Sequence, residues 1–222
     1  PLAFGLREPA LHLAHAGPRQ SVRAALHEAF GHKGFRLLTA GYFVCGFQVV
    51  FIGVHLPAYL KDHGLQAGVA STALALIGLF NVFGTYIAGS LGQHLSKPRM
   101  LSLIYILRAV VIVAFISAPI TSWSVYLFAS AMGLLWLSTV PTTNAVVAQI
   151  FGVQYMSMLG GIVFLNHQIG SFLGAWLGGR LYVSTGSYDI VWWLAVALSI
   201  VAALLNWPVR DAPIQRPVPQ PA

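Results

Sequence analysis

An arginine stands in the middle of one of the most apolar runs of the sequence. Arg108 lies in LSLIYILRAVVIVAFI, about ten residues from either end of the predicted span 99–118. A cation at such a depth in a bilayer costs about 3 kcal/mol or more unless it is paired or reaches water. All five acidic residues lie in predicted loops or tails. Two interpretations stay open: Arg108 attracts a substrate anion or relays charge, or it is a structural arginine hydrogen-bonded between helices.

The first long apolar run carries polar residues at helical spacing. These residues fall on one stripe of a helix: Gly41, Cys45, Gln48, Ile52, His55 and Tyr59. We expect this stripe to form the wall of an aqueous cavity, because Gln48 and His55 share it, and we predict that both contact a solute. The alternative is helix packing with a hydrogen-bonded histidine. Pro57 loosens the outer end of this helix.

The fourth apolar run is rich in hydroxyl and amide side chains around a proline. These residues are Ser138, Thr139, Thr142, Thr143, Asn144 and Gln149. Pro141 is placed to break the helix and to expose backbone carbonyls to a ligand. We predict Thr142 and Asn144 as further solute contacts. In the alternative interpretation, the hydroxyl groups only satisfy carbonyls beside the proline.

The fifth apolar run combines a histidine with a glycine repeat. Gly170, Gly174 and Gly178 share a helical stripe with His167, and such spacing lets another helix approach closely. His167 is therefore expected at a tight helix contact, either as a neutral imidazole bonded across it or as a group that titrates near neutral pH. Together with His55, it is the predicted proton carrier.

The sequence offers no residues for catalysis. It lacks a glycine-rich phosphate loop, a GxSxG motif and paired carboxylates. The pair His12 and His15 has no neighbouring cysteine or acid and is weak evidence for a metal site. Cys45 is the only cysteine, so neither an intrachain disulfide nor a thiolate metal cluster is possible. We predict a protein that is not an enzyme and that needs no cofactor and no metal.

These residues lie in a composition that only a membrane protein has. Of the sequence, 57% is hydrophobic and 8% charged, with a mean hydropathy of +0.76. A helix crosses the hydrocarbon core with about 20 apolar residues. The sequence therefore predicts an all-α, polytopic membrane protein with six transmembrane helices in a lipid bilayer, at residues 36–60, 69–95, 99–118, 122–150, 154–182 and 188–208.

The basic residues follow this topology. Five of them precede the first predicted span: Arg7, Arg19, Arg23, Lys33 and Arg36. The positive-inside tendency places both ends of the chain on the cytoplasmic side, and we expect the cell (inner or plasma) membrane as the location. The net charge of +7 is thus explained without nucleic acid as a partner. The chain begins at Pro1 without a signal peptide, which we interpret as a piece of a longer protein.

Three segments follow. Residues 1–35 are a predicted cytoplasmic linker with a short amphipathic helix at 22–30, either on the membrane surface or free of lipid. Residues 36–208 form the predicted transmembrane bundle. Residues 209–222, which are rich in proline, are a predicted disordered cytoplasmic tail.

One loop and four of the apolar runs carry a family resemblance. The segment GSLGQHLSKPR, from Gly89 to Arg99, resembles the cytoplasmic signature of the major facilitator superfamily, G-x-L-A-D-R-x-G-R-R. Gly89, Lys97 and Arg99 match it, whereas Gln93 stands in place of the usual acid. FVCGFQVVFIGVHLPAYL, LIYILRAVVIVAF, MGLLWLSTVPTTNAVVAQIFG and HQIGSFLGAWLGGRLYVSTGSYDIVWW resemble the C-terminal six helices of bacterial facilitators related to monocarboxylate and oxalate/formate transporters.

The resemblance implies half of a twelve-helix transporter whose solute site lies between two six-helix halves. On this template the first and fourth spans line the cavity, the second and fifth face a missing N-terminal half, and the third and sixth are peripheral. The signature residues Gly89, Gln93, Lys97 and Arg99 would form a conformational gate.

The function implied is secondary active transport of a small solute by alternating access. A small organic anion such as a monocarboxylate is favoured, with Arg108 supplying positive potential. The alternatives are a proton-coupled drug or metabolite exporter and a membrane scaffold or sensor that does not transport.

Overall fold

The computed structural model describes residues 21–215, which form helices joined by short turns. Within this range no residue adopts a strand. The predictions for His12 and His15, and for the tail beyond residue 215, lie outside the described residues. The all-α class predicted from the sequence is confirmed for the described part of the chain.

Eight α-helices follow each other along this range. They are α1 (Val22–Gly31), α2 (Lys33–Asp62), α3 (Ala67–Leu91), α4 (Lys97–Ser117), α5 (Ser122–Leu135), α6 (Thr139–Phe151), α7 (Met156–Thr185) and α8 (Asp189–Asn206). A single 3-10 turn, Val153–Tyr155, precedes α7. The predicted spans agree with α2, α3, α4, α7 and α8 to within four residues at each end.

Five of the described segments are long and apolar enough to cross a membrane: α2, α3, α4, α5 with α6, and α8. Helix α7 has 30 residues, more than the roughly 20 that a bilayer requires, but its glycines and polar residues make it less apolar than the other five. The chain is therefore a multi-pass membrane protein, and the crossing by α7 stays a prediction.

The helices pack in pairs around a polar centre. Helix α2 packs most closely against α7, α3 against α5, and α4 against α8. Two apolar clusters fill the bundle, one around Phe51 and Trp192 and the other around Phe35 and Val146. Arg108 is fully buried on the stretch of α4 that runs from one cluster to the other, so the polar contacts of the bundle concentrate at mid-depth.

Helices α2 and α7 approach each other so closely that only glycine fits. A Cβ atom at Gly170 would lie 2.1 Å from the carbonyl oxygen of Phe43, and one at Gly174 would lie 2.2 Å from that of Phe47. From the other side, a Cβ at Gly46 would lie 1.9 Å from the carbonyl oxygen of His167. Small residues allow such backbone contact, which replaces the hydrophobic effect as a packing force in lipid.

The predicted fourth span is broken, and the break lies elsewhere than expected. Helix α5 ends at Leu135 and α6 begins at Thr139, so the interruption at residues 136–138 precedes Pro141 by three residues. The reason is that the proline ring lacks an N–H and clashes with the carbonyl four residues earlier, at Leu137. The amide of Val140 turns back instead to the Leu137 carbonyl, at 2.9 Å.

The beginning of the predicted disordered tail is ordered against the bundle. Val209 is 6% exposed within the cluster around Phe35, and the Ile214 amide donates to the carbonyl of Ile150 at 3.0 Å. That carbonyl belongs to the last turn of α6, which has no helical donor of its own. The prediction of disorder is wrong for residues 209–215, because these apolar and backbone groups find partners at the helix end.

The amphipathic helix predicted at 22–30 is α1, and it packs on the same end of the bundle. Ala25 and Ala29 are buried, whereas Val22 and Phe30 are exposed. Ser21 caps the helix by accepting from the amide of Ala24 at 3.2 Å. One face of α1 therefore contacts protein, and its exposed apolar residues lie on the other side.

Candidate functional site

Arg108 connects α4 to the break between α5 and α6. Its Nε donates to the Leu135 carbonyl at 3.2 Å, and its Nη2 donates to the same carbonyl at 2.7 Å and to that of Trp136. Its guanidinium also lies 5.5 Å from the centre of the Tyr105 ring. The structure thus shows the hydrogen-bonded arginine of the second interpretation, in a geometry that a planar fork with five donors suits.

The two carbonyls are available because the break removes their helical donors. Carbonyls at 135 and 136 would accept from amides four residues on in a continuous helix. The short turn that Pro141 imposes withdraws those amides, and a buried carbonyl without a partner costs about 1–3 kcal/mol. As predicted, carbonyls near the proline lack their helical donors, but the side chain of Arg108 binds them in place of a ligand.

The other side of the guanidinium reaches α2. Arg108 Nη1 donates to Gln48 Oε1 at 3.2 Å, and Nη2 contacts Cys45 Sγ at 3.7 Å. Gln48 in turn donates to the Ala195 carbonyl at 2.9 Å and to Ser199 of α8. One connected polar network therefore joins α2, α4, α8 and the α5–α6 break.

Asn81 of α3 completes the network from the opposite side of the break, and the sequence analysis missed it. Its Oδ1 accepts from the Leu137 amide at 3.0 Å, an amide that the break also leaves without a helical partner. Its signal in the sequence is an isolated amide in the apolar run ALALIGLFNVFG. Such a residue inside a membrane span is expected to have a polar partner.

The stripe predicted to line a cavity is buried inside the bundle. All six of its members, Gly41, Cys45, Gln48, Ile52, His55 and Tyr59, are buried. His55 Nε2 lies 2.9 Å from the carbonyl of Ala175, and its ring occupies the space beside Gly178. In this conformation the stripe is packed inside the bundle, as the alternative interpretation describes, and solute contact by Gln48 and His55 stays a prediction.

The structure separates the two solute contacts predicted on α6. Thr142 lines a cavity of about 370 Å³ with Gly89, Gln93 and Lys97 of the signature segment, although its hydroxyl donates to the Ser138 carbonyl at 2.9 Å. Asn144 is half-buried and faces α7 near Gly160. The cavity therefore brings Thr142 together with three of the four predicted gate residues and leaves Asn144 apart.

Of the gate residues, Lys97 connects the lining of this cavity to the end of α6. Its Nζ donates to Gln149 Oε1 at 2.9 Å, which links the first residue of α4 to the last turn of α6. Gln93 is exposed, as is Arg99. A Cβ atom at Gly89 would meet open space, so no close packing requires a glycine there.

His167 is packed between aromatic rings at the α2–α7 contact. Its ring is stacked on Phe164 at 5.5 Å and lies 4.9 Å from the ring of Tyr42. Nδ1 lies 3.1 Å from Gln168 Oε1, whereas the buried Nε2 has no hydrogen-bond partner among the described residues.

The charges around the network leave the arginine unneutralised. The acidic residues of the described range lie in α1, at the ends of α2 and α8, or after α8: Glu28, Asp62, Asp189 and Asp211. Carbonyl oxygens solvate a guanidinium but do not cancel its charge. Within residues 21–215, no group of three His, Cys, Asp or Glu side chains is placed to hold a metal ion.

The buried polar centre, the paired helices and the signature turn define a polytopic helical membrane protein. Residues 14–222 match the family model of the Major Facilitator Superfamily, and the chain belongs to this family. The resemblance found from the signature residues and the apolar runs is thereby confirmed.

The chain is similar to two relatives. It is 28% identical, over 96% of its own length, to "Uncharacterized MFS-type transporter YcxA" of Bacillus subtilis (strain 168), of which it covers 52%. It is 29% identical, over 68% of its length, to "Monocarboxylate transporter 13" of Rattus norvegicus, of which it covers 34%. The chain thus spans about half the length of the first relative and about a third of the second.

Proposed function

We propose that this chain is the C-terminal half of a secondary transporter that moves small organic anions, such as monocarboxylates, across the bacterial inner membrane with both of its ends in the cytoplasm. The observation that carries the proposal is the charge of Arg108, which is buried at mid-depth without a carboxylate beside it among the described residues. The similarity to a monocarboxylate transporter supports the substrate class.

Arg108 acts on the solute through its field. Its donors are occupied by carbonyls and by Gln48, so it attracts an anion without contacting it in this conformation. At an effective dielectric constant of about 20, a unit charge about 8 Å away stabilises an anion by roughly 2 kcal/mol. A positive centre of this size raises the local concentration of a monocarboxylate by more than tenfold.

The remaining predicted site residues have separate roles in this proposal. Asn144 and Thr142 contact the solute on α6, and His55 and Gln48 support the helices behind them. Lys97 closes the cavity at the signature segment through its bond to Gln149. His167 carries the coupled proton at Nε2. Opening and closing involve a second six-helix half that packs against the exposed faces of α3 and α7.

The proposal is tested by uptake of labelled pyruvate and lactate into proteoliposomes that contain the full-length protein. The Arg108→Gln variant removes the central charge and should raise the KM at least tenfold, since the charge contributes roughly 2 kcal/mol. Arg180→Gln removes the same charge from an exposed position on α7 and is the matched control.

Each outcome decides the proposal. A raised KM for Arg108→Gln with an Arg180→Gln variant within twofold of the wild type supports it. Equal KM values in all three proteins would remove Arg108 from solute attraction. Absence of uptake of either anion by the wild-type protein would refute the substrate class and favour the scaffold or the exporter.

A further inference from the structure

We propose that the α5–α6 break is a hinge for the proposed transport cycle, and that Asn81 and Arg108 are the positioning residues that hold it. This inference rests on the proposed function but uses other observations. Neither residue needs to touch the solute, because both act through the backbone of residues 134–137.

Four backbone groups at the break are bound by side chains. Asn81 accepts from the amide of Leu137 at 3.0 Å, and Ser138 Oγ donates to the Leu134 carbonyl at 2.6 Å. Arg108 donates to the carbonyls of Leu135 and Trp136. In a bilayer, backbone groups outside regular helix are tolerated only where they are satisfied in this way.

The partners of the break belong to different helices. Asn81 is on α3 and Arg108 is on α4, whereas Ser138 belongs to the break itself. Helix α5 packs mainly against α3, and α6 packs mainly against α4. A displacement of α4 relative to α3 therefore changes the hydrogen bonds at the break.

The surroundings also divide at this point. Met132 of α5 lies in the cluster around Phe51 and Trp192, whereas Val146 of α6 lies in the cluster around Phe35. Each half of the broken helix thus moves with its own packed cluster, since packed clusters shift as units and do not deform continuously. The break is the place where a small backbone rotation changes the angle between them.

The rotation has to exchange hydrogen bonds, which sets its frequency. Loss of the Asn81 contact removes about one hydrogen bond from the arrangement of the break in this structure. This loss corresponds to roughly a tenfold change in the population of that arrangement. Arg108 holds two carbonyls with one rigid planar group, whereas a lysine ammonium sits on a flexible stem and lacks this fixed geometry. We therefore expect both Asn81→Ala and Arg108→Lys to loosen the break.

The first measurement is hydrogen exchange by mass spectrometry on the full-length protein in nanodiscs without solute. Peptides that cover residues 134–141 should exchange about tenfold faster in Asn81→Ala than in the wild type. Asn81→Asp keeps an acceptor oxygen and should restore slow exchange. The matched control is Asn166→Ala, because the Asn166 side chain also bonds a backbone group of another helix: its Nδ2 donates to the Thr39 carbonyl at 2.6 Å.

The second measurement is the distance distribution between nitroxide labels on the two sides of the break. Leu127 on α5 and Val153 just after α6 are exposed and accept labels. Asn81→Ala should broaden this distribution, whereas a pair at Ile106 and Leu204, on α4 and α8, should stay unchanged. If Asn81 only stabilised the bundle as a whole, its replacement would broaden the distance distributions of both label pairs.

The outcomes separate this inference from the proposed function, because neither measurement uses a solute. Local acceleration, rescue by Asn81→Asp and a broadened α5–α6 distance support the hinge. Equal exchange in Asn81→Ala and the wild type, or equal broadening of both label pairs, would overturn it. If Asn81→Ala does not fold, the wild-type distribution alone decides: a single narrow α5–α6 distance would refute the hinge.

Discussion

The substitution Gly174→Ala should push α2 and α7 slightly apart. The Cβ atom of an alanine there would lie 2.2 Å from the carbonyl oxygen of Phe47, whereas real Cβ atoms stay at least 3.0 Å from their neighbours. The obstacle is backbone, so the helices must move apart by about 0.8 Å. A gap of this size forfeits a quarter to a half of the dispersion energy of each contact.

This loss can be converted into a decrease in the free energy of unfolding. A seam of some tens of atom contacts, each worth about 0.1–0.2 kcal/mol, loses roughly 1–3 kcal/mol in total. For a bundle of about this size, 1 kcal/mol corresponds to roughly 2–4 °C in the unfolding temperature. We therefore expect Gly174→Ala to lower the unfolding temperature by at least about 2 °C, measured by differential scanning fluorimetry in detergent.

The control for this prediction lies on the same helix. A Cβ atom at Gly161 meets nothing within 4 Å, and alanine is favoured over glycine in a helix by up to about 1 kcal/mol. Gly161→Ala should therefore be neutral or stabilising. Equal unfolding temperatures of the two variants would show that the α2–α7 approach is not as close as described, and would refute the argument.

Three further perturbations test other parts of the bundle. Val209→Asp buries a carboxylate and should lower the free energy of unfolding by at least about 2 kcal/mol. Ala212→Asp, at an exposed position, should lower it by less than half as much. Equal losses of unfolding free energy in denaturation experiments would contradict an ordered tail. Lys97→Met removes the bond to Gln149 and should speed thiol labelling of a cysteine introduced at Thr142, with unchanged labelling arguing against a gate. His167→Gln should abolish uptake driven by a pH gradient but spare anion exchange, measured in proteoliposomes; coupled uptake that persists would exclude His167.

The proton prediction depends on groups that surround His167. Tyr42, Cys45 and Arg108 are the titratable or charged groups whose influence reaches the ring, in addition to Gln168 and Ser171 of its own helix.

Membrane spans and helix seams were predictable because their causes are local. Apolar length, charge position and glycine spacing are properties of one segment, and they placed α2, α3, α4 and α8 with few errors. The same local chemistry marked Gly170 and Gly174 as positions of close approach. Pro141 predicted a broken helix, but the break lies three residues N-terminal to the proline. Its position depends on how neighbouring side chains bind the backbone groups that the proline frees.

Partner identity was not predictable for the buried polar residues. Gln48 and Arg108 were recognised as residues that need polar partners. A water-filled cavity and a packed hydrogen-bond network both require such residues, so the sequence does not distinguish the two. The outcome depends on which helix faces each stripe. Asn81 shows the converse, since its importance becomes visible only when the Leu137 amide, 56 residues later, lies beside it.

The sequence by itself thus determined the membrane class, the family and the residues that cannot face lipid, because desolvation penalties act on each segment independently of its neighbours. Only the tertiary structure decided that Arg108 binds carbonyls of the α5–α6 break, that the stripe of α2 is packed inside the bundle, and that residues 209–215 cover the end of α6. These outcomes depend on hydrogen-bond partners and packed surfaces that meet across long sequence separations, and folding alone brings them together.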